Sequence, residues 1–551
     1  MNLSAPSRRK KAGDAIILLA MAAVLVAGCL TFGDYGFTVD EGLERRSGIV
    51  NYQYILQTLF GHELRVYDLD LSSYNDRYYG VFMQLPMVVC EHLAHFSMPL
   101  RDVYLMRHLY TFLLCFLGYV CFFFFCKKVF NSKWMGLLGV GMLALYPRFW
   151  GEQFTNIKDM VFMATMCAAM LAALCCLEHE NRARYGIIAA LAGAGCANTR
   201  IIGAIVPLML FGYRVVRDLF ITRVARERGI PGLLGNLGKY AAQLLLFYAF
   251  FVLSMPILWH DPIRETANVF FRFSDYNVWN GTQVFGGKLY QGEKVPWYFI
   301  PVWLGISLPI WYLALLALSF AAVVAGILRA RRAPGFPGVG VALLTEYRYF
   351  LFGFFIAFLP WLATVVMRST LYNGWRHFYF ALPAMVTMML YAVAFAWRRW
   401  FRDRRRLAAR GALAGALCVL LAGQAIWIAA HHPFEKVFFN AAGVRVADGF
   451  ERDYWWESGY AQLKYLLEND PSERIFLKGE PTTAVQFLYP LDAQRLVFGT
   501  EGDYVLEFYN HVASSRDVAH EGYIPWHTVS VDGHPLSTLY IRDGRLAKGP
   551  E

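Results

Sequence analysis

The sequence predicts an α-helical polytopic membrane protein of about eleven transmembrane helices, followed by a small C-terminal α/β or α+β domain outside the membrane. Three observations lead there. Of the 551 residues, 57% are hydrophobic and only 17% charged, against about 25% charged in soluble proteins. The apolar residues come in long runs separated by short basic loops. After residue 430 those runs stop, and short helix- and strand-like patterns replace them.

The first run, Ala15 to Gly33, follows Arg8-Arg9-Lys10-Lys11, which keeps the N-terminus in the cytoplasm. Val26-Ala27-Gly28-Cys29 has the form of a lipoprotein cleavage box. An uncleaved start is expected, because the later spans need it for a consistent orientation. Residues 34–102 form the first outer loop. Asp40-Glu41 stands there just beyond the membrane, and Tyr78–His95, interrupted by Pro86 and Glu91, reads as interfacial.

Ten further spans are expected, at Tyr104–Cys126, Trp134–Phe149, Met160–Leu177, Tyr185–Ala197 and Ile201–Tyr213, then at Tyr240–Trp259, Tyr298–Leu328, Tyr349–Met367, Phe378–Trp397 and Gly411–Ala430. An odd total puts the C-terminus outside. It also puts Lys127-Lys128, Arg214–Arg228, Arg329–Arg332 and Arg398–Arg410 inside, so the net charge of +11 follows the positive-inside pattern and forms no nucleic-acid patch. The count turns on Ala197-Asn198-Thr199-Arg200, where one kinked helix instead of two would reverse everything downstream. All ten cysteines lie in or beside apolar segments and none follows Cys418, so the tail holds no disulfide.

The chain thus divides into a membrane domain, 1–430, and an extracytoplasmic domain, 431–551. In the second, Tyr460–Glu468 reads as a helix and Pro471 precedes a strand at Arg474–Leu477. Val529–Tyr540 reads as a hairpin turning at Asp532-Gly533.

This topology gathers four polar groups on the outer face: Asp40-Glu41, Glu152 with Asn156-Ile157-Lys158-Asp159, Trp259-His260-Asp261-Pro262, and Arg368 to His377. Singly, each is an ordinary loop or helix cap. Together they mix carboxylates, which can deprotonate a hydroxyl, with cations, which can hold a phosphate as it leaves.

Several of these stretches also carry a family resemblance. Arg107-His108, Leu145-Tyr146-Pro147-Arg148-Phe149 and Asn156-Ile157-Lys158-Asp159 are similar to motifs of the GT-C membrane glycosyltransferases of the dolichyl-phosphate-mannose protein mannosyltransferase type (glycosyltransferase family 39-like). Asp40-Glu41 matches that family's first-loop acidic motif. Asn373-Gly374-Trp375-Arg376-His377 with Leu382-Pro383 resembles its late outer-loop motif. His432-Pro433-Phe434-Glu435, Phe438-Phe439-Asn440 and Asp453-Tyr454-Trp455-Trp456 resemble a tail of bacterial members. The tail is too short for the eukaryotic sugar-binding insert, so the protein acceptor does not carry over.

The resemblance implies an inverting glycosyltransferase in the cytoplasmic (inner) membrane, moving a monosaccharide from a polyprenyl-phosphate donor to an acceptor hydroxyl on protein, lipid or glycan. It implies Asp40 as base, with Glu41 and Asp159 orienting the acceptor or the surrounding cations. Lys158, Arg376, His377 and, less directly, His260 would face the donor phosphate. Such a pocket requires no metal cofactor, although carboxylates this close are able to hold a divalent ion. The rival readings are a transporter or flippase of lipid-linked sugars, which needs ionisable residues along its spans, and an O-antigen ligase-like enzyme, which relies on Arg-rich outer loops. A third is a scaffold acting through 431–551.

Overall fold

The computed structural model describes residues 8–274, 281–400, 407–509 and 520–544; residues 401–406 of the basic Arg398–Arg410 stretch lie outside the described residues. After α1 (Arg8–Thr31) the stretch expected to be the first outer loop carries two helices, which hydropathy did not predict. It holds α2 (Val39–Phe60) and α3 (Leu85–Leu93). Thr38 precedes α2 in extended backbone, Asp40 and Glu41 fill the first turn, and Gly61 closes the helix at φ 63°. Acids suit the positive end of a helix, and glycine suits a left-handed terminus. Glu91 of α3 ties this region together, accepting Arg45 from α2 at 2.8 Å and Arg107 from α4 at 2.6 Å.

The membrane region continues with α4 (Leu100–Phe130), α5 (Lys133–Ala144), α6 (Pro147–Thr155), α7 (Asp159–Glu178), α8 (Ala183–Thr199), α9 (Ile205–Val216), the short α10 (Val224–Glu227) and α11 (Gly229–Ser254). Then come α12 (Pro262–Ser274), the hairpin β1 (Thr282–Phe285) and β2 (Lys288–Gln291), α13 (Phe299–Ser307), α14 (Ile310–Ala330), α15 (Val339–Thr345), α16 (Arg348–Met367), α17 (Leu382–Trp400) and α18 (Leu407–His431).

Each of the eleven expected runs contains a helix. Eight, within α1, α4, α7, α11, α14, α16, α17 and α18, are long and apolar enough to cross a membrane among the described residues. The others are shorter. α5 and α9 have 12 residues each, roughly 18 Å at helical rise, against a core of roughly 30 Å. α8 has 17. The break after α8 is real, with Arg200 extended before a 3-10 turn at Ile201–Ala204. The long run Tyr298–Leu328 is also two helices. Pro309 stops α13, and the side chain of Asn440 donates to the freed carbonyls of Gly305 and Leu308 at 2.7 Å each.

Charges sort to the two ends of this bundle. Lys128 pairs with Glu178, Lys133 with Asp14 and Arg217 with Glu180 at one end. The starts of α2, α7 and α17 meet at the other.

The C-terminal domain carries a five-stranded mixed sheet of order β4-β3-β5-β7-β6. Its elements are α19 (Ser458–Asn469), β3 (Ile475–Lys478), α20 (Pro490–Gln494), β4 (Leu496–Gly499), β5 (Tyr504–Phe508), β6 (Tyr523–Val531) and β7 (His534–Arg542). β3 runs parallel to β4 and β5, while β7 is antiparallel to β5 and β6. Asp532 and Gly533 turn the expected hairpin at φ 50° and 83°, the paired positive values of a tight primed turn. Leu463 and Leu466 of α19 bury against Ile475, Leu477, Leu539 and Ile541. Val437, Phe438, Phe439 and Phe450 of residues 432–457 share a core with α4, α5, α7 and α17, and Val529 and Val531 of β6 and Leu536 of β7 belong to the same cluster.

Candidate active site

The site grows from helix starts. At α2, the Thr38 N–H and hydroxyl donate to Glu41 Oε2 at 2.9 and 3.0 Å, while Glu41 Oε1 lies 2.8 Å from His108 Nε2. Glu41 is therefore engaged as a cap and in a buried pair with His108. Its neighbour Asp40 turns the other way. Its side chain is 26% exposed, Oδ2 receives Arg376 Nη1 at 2.6 Å, and Oδ1 has no hydrogen bond among the described residues.

Asp159 opens α7. Its N–H donates to Asn156 Oδ1 at 2.8 Å, which fixes the turn. Its Oδ1 receives Arg200 Nη2, and its Oδ2 lies 3.4 Å from Arg376 Nη1. One carboxylate thus brackets two guanidiniums. Lys158, alongside, pairs with Glu44 at 2.5 Å and sits 3.3 Å from the centre of the Tyr79 ring.

Arg376 is the hub. Only 3% of its side chain is exposed, and a charge so buried needs pairing. Besides Asp40 and Asp159, it lies over the rings of Tyr372 at 5.1 Å, Trp455 at 4.9 Å and Tyr454 at 5.9 Å. His377 follows, its ring against Tyr372 and its buried Nδ1 without a hydrogen bond among the described residues. His260 does not join them. It is exposed, and Asp261 beside it caps α12 by accepting the Arg264 N–H at 3.1 Å.

Beneath lies a buried polar floor to which the sequence reading gave no role. Glu152 accepts the hydroxyls of Tyr379 and Tyr454 at 2.6 and 2.7 Å and the Asn156 amide at 2.6 Å, and burial pushes its carboxyl up. Lys436 pairs with Asp453 and Glu457 at 2.9 Å each. Burial pushes Glu457 up to about 7 against the opposing Lys436 charge. Burial also favours the neutral form of Asp453, but Lys436 and hydrogen bonds from Ser458 hold it below its ordinary value. Glu451 is pushed by burial up to about 8, with the Arg376 charge opposing, and its Oε2 has no hydrogen-bond partner among the described residues.

Beside the hub an apolar groove runs between α13, α16 and the start of α17. Ile300, Leu304, Ala357, Phe358, Trp375 and Phe378 line it. Trp375, which lines the groove, is the residue before Arg376. Among the described residues no group of three or more His, Cys, Asp or Glu side chains is arranged to hold a metal ion.

No protein-family profile and no curated protein matches the chain. Among solved structures it is similar to ArnT from Cupriavidus metallidurans bound to undecaprenyl phosphate, at 14% identity and a TM-score of 0.43, covering 98% of this chain and 99% of that one. It is also similar to the same protein in the apo state, at 14% identity and a TM-score of 0.33, covering 96% and 98%.

Proposed function

We propose that the chain is a GT-C type inverting glycosyltransferase that moves a monosaccharide from a polyprenyl-phosphate donor to an acceptor hydroxyl at the outer face of the cytoplasmic membrane. One observation carries this reading. A partly exposed carboxylate, Asp40, lies 2.6 Å from a buried guanidinium, Arg376, and Trp375, the residue before Arg376, lines an apolar groove. Those are the three parts such a donor requires: a base, a phosphate ligand and a place for a hydrocarbon tail.

Asp40 takes the proton of the acceptor hydroxyl, whose oxygen attacks C1 of the sugar. The bond from C1 to the phosphate oxygen breaks, and polyprenyl phosphate leaves with the electron pair. Arg376 meets the charge that develops there, with Lys158 at the rim and His377 adjoining. The tail occupies the groove below Trp375. Lys128, Lys133 and Arg217 mark the opposite end of the bundle. The positive-inside rule makes that end cytoplasmic and the site, with the C-terminal domain, external.

The test is transfer from a polyprenyl-phosphate sugar by purified protein in nanodiscs. Asp40→Asn keeps the size and loses the basicity. It should bind donor normally and turn over on the order of a hundred- to ten-thousand-fold more slowly. Turnover close to that of the parent protein would remove Asp40 as the base and overturn the mechanism.

A further inference from the structure

Arg200 has no part in the reading above, yet it is placed like a ligand-binding group. It follows α8 in extended backbone, φ −149° and ψ 131°, and the end of that helix is held from two sides. Asn198 accepts the Phe82 N–H at 3.0 Å and donates to the Ser254 carbonyl at 2.9 Å. Gly80 lies so close that a Cβ there would stand 1.6 Å from the Asn198 carbonyl oxygen. Loop residues 78–84 are therefore fastened to the end of α8, and Tyr79 comes beside both Lys158 and Arg200.

The guanidinium of Arg200 reaches Oδ1 of Asp159, the carboxylate whose Oδ2 faces Arg376. Its side chain is 19% exposed, more open than that of Arg376. Two guanidiniums spaced by one carboxylate, one of them partly open, suit a ligand with several acceptor oxygens. A phosphate has that chemistry, and the planar fork of arginine fits it.

We propose that Arg200 is a second guanidinium of the phosphate site, held beside Arg376 by Asp159 and binding an oxygen of the donor phosphate. This rests on the polyprenyl-phosphate donor proposed above. Asp159 is then a bracket that spaces two arginines, and both of its oxygens are occupied in that task.

The experiment compares undecaprenyl phosphate with undecaprenol, binding each to the full chain in nanodiscs and taking the ratio of affinities within each variant. The parent protein should prefer the phosphate. Arg200→Ala should cut that preference about tenfold or more while undecaprenol binding stays the same, and Arg200→Lys should restore part of it. In an Asp159→Asn background, Arg200→Ala should still lower the preference. An unchanged preference in Arg200→Ala overturns the assignment and leaves the donor reading standing. An effect that vanishes in Asp159→Asn also overturns it, because Arg200 would then act only through Asp159. Equal binding of the two lipids by the parent protein removes the donor reading and this assignment together. Should Arg200→Ala fail to insert, the Arg200→Lys and Arg200→Gln ratios decide the same question.

Discussion

Two clusters within one bundle use the same kinds of side chain to opposite ends. Lys436 with Asp453 and Glu457 is sealed, each side chain at most 2% exposed. Its carboxylates take further bonds: Asp453 also accepts the N–H groups of Glu457 and Ser458, and Glu457 accepts the Thr155 hydroxyl. In the cluster of Asp40, Asp159, Arg376 and Arg200, by contrast, the Asp40 side chain is 26% exposed and that of Arg200 19%. A charge cluster becomes a site when it keeps an accessible edge. A sealed cluster is a clamp.

The contrast is open to breaking from both sides. The largest effect is expected at the clamp. Lys436→Met leaves two buried carboxylates unpaired and should cost about 3–5 kcal/mol of stability, read by thermal unfolding in detergent. Unfolding at the parental temperature would show that the cluster is no clamp. Next comes the hub. Arg376→Ala should lower transfer on the order of a hundred- to a thousandfold with a smaller loss of stability, and Arg376→Lys should recover part, since a point charge replaces a fork.

Glu451 gives a pH test of intermediate size. Burial lifts its carboxyl from an ordinary 4.5 to about 8. Between those values the folded chain keeps a proton that the unfolded chain has released, so stability falls as pH rises and levels off above about 8. Glu451→Gln should flatten that slope and raise stability at pH 8 by more than about 1.4 kcal/mol, the worth of one pKa unit. An unchanged slope from pH 5 to 8 would mean that Glu451 is not the group responsible. The smallest effect belongs to His260→Ala, which should leave donor affinity and turnover as they are. A tenfold loss of donor affinity would bring His260 back into the phosphate site.

How much of this was legible in the sequence depended on how local the cause was. The apolar runs, the hairpin at Asp532-Gly533 and the α19 helix follow from nearest neighbours, and hydropathy or turn chemistry finds them. The job of Glu41 was also local: Thr38 and Glu41 stand at capping-box spacing, a signal that the family motif overshadowed. Pro309 was readable too, but averaging over a long apolar run concealed it. The pairing of Arg376 with Asp40 spans 336 positions and was reachable only by resemblance and topology. Arg200 was visible solely as a break between two runs, because nothing near it in sequence announces Asp159 as its partner. Lys436, Glu451 and Glu457 sat in a tail that looked like a separate module, where no local pattern showed them facing the membrane helices.

That last point bears on how the protein can be divided. Hydropathy invites a cut after His431, where the final long helix ends. The polypeptide just beyond it is stitched into the bundle: Arg148 Nε donates to the Phe438 carbonyl at 2.9 Å, Asn440 closes the open end of α13, and a side chain at Gly151 would come within 2.5 Å of the Lys436 backbone nitrogen. Residues 432–457 are thus a strap threaded through the membrane half. Transplanting the C-terminal sheet, or shedding it for expression, preserves that half only when the cut falls after the strap, near Ser458.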